Sequence, residues 1–248
     1  MPTKIVEPGL QDLGQSSERN RLLRLLHPAT YARLLNELEL LDLPSKHVLW
    51  SAGAPVRSVY FPRSCVVSLV VPTGDDRPVE AATIGSEGFV GVPVALGVDA
   101  TTITALVQVK GQALRMPAPA FRALMNEDSG LRVAVLAFAH TLMEQTAQTV
   151  ACNRRHELSE RCARWLLMTH DRVGEGEFGL TQDFLAIMLG VRRASVTVAA
   201  GMLQSAGLIR YSRGHVQVLD REALEAASCE CYRIVRDSYA HALRTATG

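Results

Sequence analysis

The sequence predicts an α+β protein: an N-terminal antiparallel β-roll of the jelly-roll kind, a long helix, and a C-terminal winged helix-turn-helix. Three observations predict this order. Short Val-, Ile- and Thr-rich runs punctuated by Gly or Pro fill residues 46–116, a heptad of apolar residues follows, and two short amphipathic segments flank Gly190. We expect a flexible arm at 1–16, the roll at 17–126, the long helix at 127–155 and a C-terminal unit at 156–248.

The composition is that of a globular protein with ample material for a core. The chain has 248 residues, of which 48% are hydrophobic and 21% charged, and its formal net charge is +1. A net charge this close to zero excludes a strongly basic protein of the histone kind. Five scattered cysteines and an N-terminus without an apolar segment argue against a secreted disulfide framework. We therefore expect a cytoplasmic protein without a membrane partner.

Two helices are predicted before the roll. Ser17 is a suitable N-cap for a first helix that contains Leu22 and Leu26, and a second helix is predicted at 30–41. After Pro44 the texture changes to apolar runs between turn residues. Those runs, including GFVGVPVALG, predict a meander of strands that closes into the roll.

The long helix is predicted from a heptad spacing without Gly or Pro between Leu131 and Val173. Such a seam favours a parallel homodimer, with the polar residues late in it fixing the register. The alternative is a helix buried wholly within its own subunit. The predicted dimerisation residues are Leu131, Val135, Phe138, Leu142, Gln145 and Thr149.

The C-terminal part begins with a helix from HELSERCARWLLMTHDRV, and GEGEFG is predicted to be a turn. Thr181 can cap a helix at 182–189, and Gly190 allows a tight turn. A second helix follows at 193–206, with Gly207 at its end. LIRYSRGHVQVLD then predicts two short strands, so helix, turn, helix and hairpin form a winged helix-turn-helix.

The charge of this segment indicates a nucleic-acid surface. From Phe184 to Leu219 it holds four arginines and no acid. At the start of the second helix Arg193 suits a bidentate bond to guanine, Ser195 and the free amides suit a phosphate, and Arg213 at the hairpin tip suits the DNA backbone. The alternative is a solvated surface. The predicted DNA-binding residues are Thr181, Gln182, Arg192, Arg193, Ser195, Thr197 and Arg213.

The order of these parts resembles the Crp/Fnr family of bacterial transcription regulators. The most specific stretch is LTQDFLAIMLGVRRASVTVAAGMLQSAGLIRYSRGHVQVLD, which is similar to the family's DNA-binding motif without gaps. The resemblance implies a homodimer that binds double-stranded DNA at a near-palindromic site, with RNA polymerase as a further partner and no enzymatic activity. The competing hypothesis is a ligand-binding or protein-interaction scaffold whose helix-turn-helix no longer binds DNA specifically.

The roll departs from the family's nucleotide-binding members. In those, a glutamate holds the ribose and an arginine neutralises the cyclic phosphate. Here Val92 stands where the glutamate would be, and Thr101 and Thr102 stand where Arg-Ser would be. Burying a phosphate without a cation costs much free energy, so we expect a degenerate effector pocket that does not bind cyclic AMP or cyclic GMP tightly. The sequence does not identify another effector.

The second helix departs as well. Arg193 matches the family's first base-reading arginine, whereas Ala194 replaces a glutamate and Val198 replaces a second arginine. We expect less cytosine readout and apolar contact with thymine methyl groups. Arg192 stands where a Ser or Thr cap is common, so the helix start should be poorly capped.

No cofactor or metal is predicted. An iron-sulfur sensor would need clustered N-terminal cysteines, and His47 and Cys65 are the only His or Cys in the strand region 46–116 for a haem. Cys229 and Cys231 lie in a predicted helix at 221–243, where C-x-C spacing points the two thiols apart. They are interpreted as packing thiols, with redox control as the alternative.

Overall fold

The computed structural model describes residues 3–4, 15–74, 78–174 and 176–245. Its helices are α1 Arg21–Leu25, α2 Pro28–Leu35, α3 Val92–Ala95, α4 Ala118–Glu127, α5 Ser129–Arg155, α6 Leu158–Val173, α7 Gln182–Leu189, α8 Arg193–Ser205, α9 Arg221–Ala226 and α10 Cys231–Thr245. Its strands are β1 Thr3–Lys4, β2 Glu39–Leu43, β3 Val48–Trp50, β4 Ser58–Pro62, β5 Val66–Val71, β6 Val79–Ile84, β7 Thr104–Val109, β8 Gly111–Pro117, β9 Glu177–Gly179, β10 Ile209–Ser212 and β11 His215–Val218. The predicted α+β class is confirmed. In the part of the chain so described, no single helix is long and apolar enough to cross a membrane.

Two antiparallel sheets form the predicted roll. Their strand orders are β1-β2-β8-β4 and β3-β7-β5-β6. The inward-facing apolar side chains of the two sheets, such as Phe61 and Val107, are fully buried. Most neighbouring strands are not consecutive in the chain, so the antiparallel roll is confirmed but the predicted meander is wrong in its strand pairing.

Three local predictions before and within the roll are wrong. The cap of α1 is Asn20, whose side chain accepts a hydrogen bond from the Leu23 amide and also donates to Pro62 and Gly88 in the roll. Tertiary hydrogen bonds thus favour Asn20 over Ser17. The second helix ends at 35, since residues 39–43 pair with β8 instead.

The run GFVGVPVALG contains a one-turn helix, α3, and not a full strand, since only Val90 pairs with a strand, in an isolated bridge to Tyr60. It follows Gly91, whose φ of 138° ends the extended backbone. A Cβ at Gly91 would lie 2.6 Å from Cγ1 of Val59 in β4, so only glycine allows this close approach.

Most of the predicted flexible arm at 1–16 lies outside the described residues. Within it, Thr3–Lys4 pairs with β2, and Gln15–Ser17 forms a 3-10 turn. The Gln15 side chain donates to the carbonyl of Leu26 at 2.5 Å, which ties this turn to the end of α1.

The long helix α5 is confirmed, but the face predicted to dimerise packs inside the protomer. Phe138 lies over Gly88, where an added Cβ would be 1.7 Å from its ring, and contacts the rings of Phe89 and Tyr239. Gln145 donates to the Thr83 carbonyl of β6. Of the six predicted dimerisation residues, Leu131, Val135, Phe138, Leu142 and Gln145 are buried and Thr149 is half-buried. The five buried side chains are thus covered within their own protomer and are not free to form a seam with a second subunit.

The C-terminal unit contains α6 to α10 and a three-stranded sheet in the order β10-β11-β9. Strand β9 was predicted as a turn, and its three residues become a strand by pairing with β11. The predicted helix at 221–243 is broken after Ala226. The Ser228 hydroxyl donates to the Glu225 carbonyl at 2.8 Å at this break, and α10 starts afresh at Cys231.

Buried polar bonds join the roll to α6. The Arg172 guanidinium donates to the Glu87 carboxylate at 2.9 Å, with both side chains only 6% exposed. The Trp165 indole donates to Glu80 at 2.8 Å. Burial raises the pKa of Glu80 to about 7, and the hydrogen bonds to its carboxylate offset part of this rise by lowering the pKa. The sensor-like roll and the helix-turn-helix unit are thus in direct contact.

Candidate functional site

The helix-turn-helix is built from α7, Gly190 and α8. The Thr181 hydroxyl accepts a hydrogen bond from the Phe184 amide at 3.2 Å and caps α7, as predicted. Gly190 has φ 65° and ψ 37°, the left-handed conformation that ends α7. The two helices meet at a bend of 103°, within the range of DNA-binding helix-turn-helix units. Four residues anchor α8 to the core: Val196, Ala199, Ala200 and Leu203.

The first turn of α8 is open to solvent. Arg192 occupies the N-cap position with an extended backbone and makes no side-chain capping bond, as its residue type predicts. Arg193 and Ser195 are exposed beside it. Free amides at the positive end of the helix, together with two guanidinium groups, make this turn suitable for an anionic ligand such as a phosphate.

Two side-chain contacts join the start of α7 to α8. The Arg193 guanidinium lies 3.4 Å from the Asp183 carboxylate, and both side chains are about two-thirds exposed. The Thr197 hydroxyl donates to Oε1 of Gln182 at 2.8 Å. The predicted DNA-binding residues Gln182, Arg193 and Thr197 are therefore brought together. Asp183 directly precedes the stretch from Phe184 to Leu219, which holds four arginines and no acid.

Beyond its first turn, the exposed face of α8 is apolar. Val198 is 65% exposed and Met202 58% exposed, with Ala194 and Gly201 on the same exposed side. Two large apolar side chains in solvent on a short helix indicate a contact surface.

The hairpin wing ends in a two-residue turn. Arg213 has φ 50° and Gly214 φ 77°, the pair of positive φ values that a type I′ turn requires. The Gly214 carbonyl accepts from the Leu180 amide at 2.7 Å, so the wing tip lies beside the start of α7. Exposed Arg213 thereby joins Thr181 and Gln182 at one end of the unit.

A cavity of about 470 Å³ lies between the roll and α5. Val92 and Thr101, two of the predicted pocket residues, line it, whereas Thr102 is exposed and lies outside its lining. Among the described residues that line it none is charged, and its walls are almost wholly apolar. Its lining residues include Trp50, Leu69, Ile84, Ile103, Leu142 and Val150.

Glu87 does not face this cavity. Its carboxylate accepts hydrogen bonds from the Gly85 amide and from Arg172 of α6. The Glu87 carboxylate thus belongs to the contact between the roll and α6.

The structure shows an exposed stripe on α5 that sequence reasoning missed. Val133, Leu136, Met143 and Val150 are 43–69% exposed, and they repeat with heptad spacing on the side opposite Phe138. The heptad spacing of this second stripe is visible in the sequence, but the inner face has the same spacing and is also rich in apolar residues. Only the contacts of α5 with the roll and α10 show which face is free.

Two domain models match the chain in the expected order. A cyclic nucleotide-binding domain matches residues 40–128, and a Crp-like helix-turn-helix domain matches residues 160–227. The first covers the roll, and the second extends from the start of α6 to just past α9. The long helix α5 lies between them.

Regulators of the CRP type are similar to this protein over most of the chain. A CRP-like cAMP-activated global transcriptional regulator of Mycobacterium tuberculosis is 23% identical over 80% of this chain and 92% of its own length. A CRP-family regulator of Thermus thermophilus superposes with a TM-score of 0.63 at 22% identity, covering 75% of this chain and 95% of that one. A global regulator of Xanthomonas campestris described as responsive to c-di-GMP has a TM-score of 0.61 at 18% identity, covering 77% and 99%.

The structural likenesses establish the fold, and the two family models identify its parts. A nucleotide-binding-like roll, a long connecting helix and a Crp-like helix-turn-helix occur here in one chain and in that order. The chain therefore belongs to the Crp/Fnr family of transcription regulators.

Proposed function

We propose that the protein is a homodimeric, sequence-specific DNA-binding regulator that places α8 in the major groove. The observation that carries this proposal is the exposed surface formed by the uncapped first turn of α8, the apolar side chains beyond it and Arg213 at the wing tip. Cations and free amides would hold the phosphates, and the outer face of α8 would contact base edges. No catalytic role is proposed.

Within this interface we assign base reading to Arg193 and phosphate binding to Arg192 and Ser195. Arg193 can form a bidentate bond to guanine once it leaves Asp183. Val198 and Met202 would contact thymine methyl groups, so the preferred site should differ from that of relatives with arginine at the position of Val198. Thr181, Gln182 and Arg213 would position the unit on the DNA backbone.

The Arg193–Asp183 pair allows a test with opposite expectations for its two members. Binding sites selected from random DNA would first be used in gel-shift titrations. Arg193→Ala should weaken specific binding by about 1–3 kcal/mol, the value of one bidentate contact. Asp183→Asn should strengthen binding, because it frees Arg193 and removes a negative charge near the phosphates.

The matched control is Arg233→Ala, which removes an exposed arginine of α10. It should leave the affinity unchanged. If Arg193→Ala also leaves the specific affinity unchanged, the role assigned to that arginine is wrong. If the wild-type protein selects no sequence at all, the scaffold hypothesis is favoured instead.

We propose dimerisation through the exposed stripe of α5 and not through its buried face. Val133, Leu136, Met143 and Val150 would pack against the same residues of a second copy in a parallel coiled coil. A two-fold axis along α5 would place two copies of α8 about 34 Å apart, one helical turn of DNA. The corresponding domain boundaries are 15–127 for the roll, 129–155 for the dimer helix and 158–245 for the DNA-binding unit.

We propose that the cavity does not bind cyclic AMP or cyclic GMP tightly. Its largely apolar lining holds no cation to neutralise a phosphate among the described residues, and it favours an apolar ligand. Met143, Ala147 and Val150 border it, so a ligand there would reach the proposed dimer interface. Neither nucleotide should raise the melting temperature at micromolar concentration, and a clear rise in a thermal-shift assay would contradict this assignment.

A further inference from the structure

Three cysteines and a histidine from two distant segments of the chain converge at the C-terminal end of α5. Cys152 lies in the last turn of α5, and His156 is its C-cap residue. Cys229 lies in the turn between α9 and α10, and Cys231 is the first residue of α10. The three thiols are buried, and the imidazole is half-buried. Their four ligand atoms all lie within 4.8 Å of one another.

The break between α9 and α10 makes this convergence possible. On one continuous helix, two cysteines separated by a single residue would point in different directions. Here Cys229 precedes the helix and Cys231 begins it, so both thiols reach the same point. The expectation that C-x-C could not serve a metal rested on a helix that the structure does not have.

The spacing fits one tetrahedral ion. Sγ of Cys152 lies 3.5 Å from Sγ of Cys229, and Sγ of Cys231 lies 3.5 Å from Nδ1 of His156. Zinc-sulfur bonds of about 2.3 Å in a tetrahedron place the sulfurs about 3.8 Å apart. An iron-sulfur cluster spreads its ligands around several metal atoms and needs a wider arrangement than four atoms within 4.8 Å.

The groups around the cluster support a metal as well. Nε2 of His156 lies 3.2 Å from the Glu230 carboxylate, which leaves Nδ1 as the free ligand atom. The Gln148 amide donates to the Cys231 sulfur at 3.0 Å, as a donor to a thiolate would.

We propose that Cys152, His156, Cys229 and Cys231 form a closed binding site for one zinc ion. Four protein ligands of this kind are typical of structural and not catalytic zinc. The ion would fasten α10 to the end of α5. Because the Tyr232 hydroxyl of α10 donates to Asp171 of α6 at 2.8 Å, this also fixes α6, the first helix of the DNA-binding unit.

The experiment uses the full-length protein, reduced and freed of metal by a chelator, and titrated with Co²⁺. The expected result is one ion per chain, with the strong visible absorption of tetrahedral cobalt and thiolate-to-cobalt charge transfer, both abolished by an equivalent of Zn²⁺. Cys229→Ser and Cys231→Ser should lose this spectrum or bind at least tenfold more weakly. Elemental analysis of the purified protein should give one zinc per chain.

Two further variants separate metal binding from folding. His156→Cys keeps four ligands and should retain cobalt binding with a stronger charge-transfer band, whereas His156→Ala should weaken it. The control variants Cys65→Ser and Cys162→Ser alter buried cysteines outside the cluster and should leave the cobalt stoichiometry unchanged. Zn²⁺ should raise the melting temperature of the wild type and not of Cys229→Ser.

Three results would overturn the proposal. The first is no cobalt or zinc binding by reduced, folded wild-type protein. The second is an unchanged cobalt spectrum in both Cys229→Ser and Cys231→Ser. The third is a different occupant of the site, namely an iron-sulfur chromophore or a disulfide between Cys152 and Cys229 in place of the ion.

Discussion

The two opposite faces of α5 have the same heptad spacing, yet the fold uses them differently. The inner face, with Phe138 at its centre, is covered by the roll and by α10. The outer face keeps Leu136 and Met143 in solvent. Spacing alone therefore shows that a helix has an apolar stripe, and the neighbouring elements decide whether that stripe belongs to the protomer or to a partner.

The largest effect is expected from the inner face. Phe138→Ala removes a buried ring that lies over Gly88 and contacts two other aromatic rings, so it should lower the free energy of unfolding by about 3–5 kcal/mol. Val133→Ala on the outer face, 55% exposed, should cost less than about 1 kcal/mol. Urea denaturation at a concentration where both variants have the same oligomeric state measures the difference. Equal losses would refute the assignment of the two faces.

The elements predicted correctly are those with a local cause. The helix-turn-helix follows from the Thr181 cap, the left-handed conformation at Gly190 and the two-residue turn at Arg213, and each of these acts within a few residues. The poor cap at Arg192 could likewise be predicted from its residue type.

The elements predicted wrongly depend on distant contacts. Strand β9 exists because it pairs with β11, and Asn20 caps α1 because it also bonds the roll. Asp183 reaches Arg193 only after α7 and α8 fold together. The convergence of Cys229 with Cys152 joins positions 77 residues apart, which no local spacing rule can show.

A smaller effect, of opposite sign, is expected from Glu80, a buried carboxyl group of strand β6, which packs against the inner face of α5. Glu80 is buried, and one of its carboxylate oxygens has no hydrogen-bond partner within the described residues. Because its pKa is raised from 4.5 to about 7, the folded state binds the proton more tightly than the unfolded state. The contribution of Glu80 to the unfolding free energy should therefore be highest below pH 4.5 and fall as the pH rises to about 7.

Glu80→Gln should abolish this dependence. At pH 8 the variant should be about 2 kcal/mol more stable than the wild type, since each pKa unit corresponds to about 1.4 kcal/mol and an amide left partly unpaired offsets some of the gain. The advantage should vanish near pH 4.5. Chemical denaturation across this range measures it, with the exposed Glu37→Gln as control. A constant difference at all pH values would exclude titration of Glu80 as its cause.

The smallest effect on the protomer, and the sharpest test of the comparison, is expected from the outer face. Met143 is 69% exposed, so Met143→Glu should change the stability of the protomer by no more than about 0.5 kcal/mol. In a dimer built on this stripe, however, the change places two carboxylates in an apolar seam. The dissociation constant should then rise at least tenfold, the equivalent of about 1.4 kcal/mol.

Sedimentation equilibrium measures this constant, and circular dichroism checks that the variant is folded. Leu96→Glu is the matched control, because it makes the same kind of substitution at a residue 57% exposed on the roll, outside the exposed stripe of α5. If Met143→Glu stays dimeric while Leu96→Glu dissociates, the subunit interface lies on the roll. A wild-type protein that is monomeric at all concentrations would mean that the exposed stripe has another partner. If only Met143→Glu loses the dimer, the outer face of α5 holds the two subunits together, while its inner face stabilises the fold of each protomer.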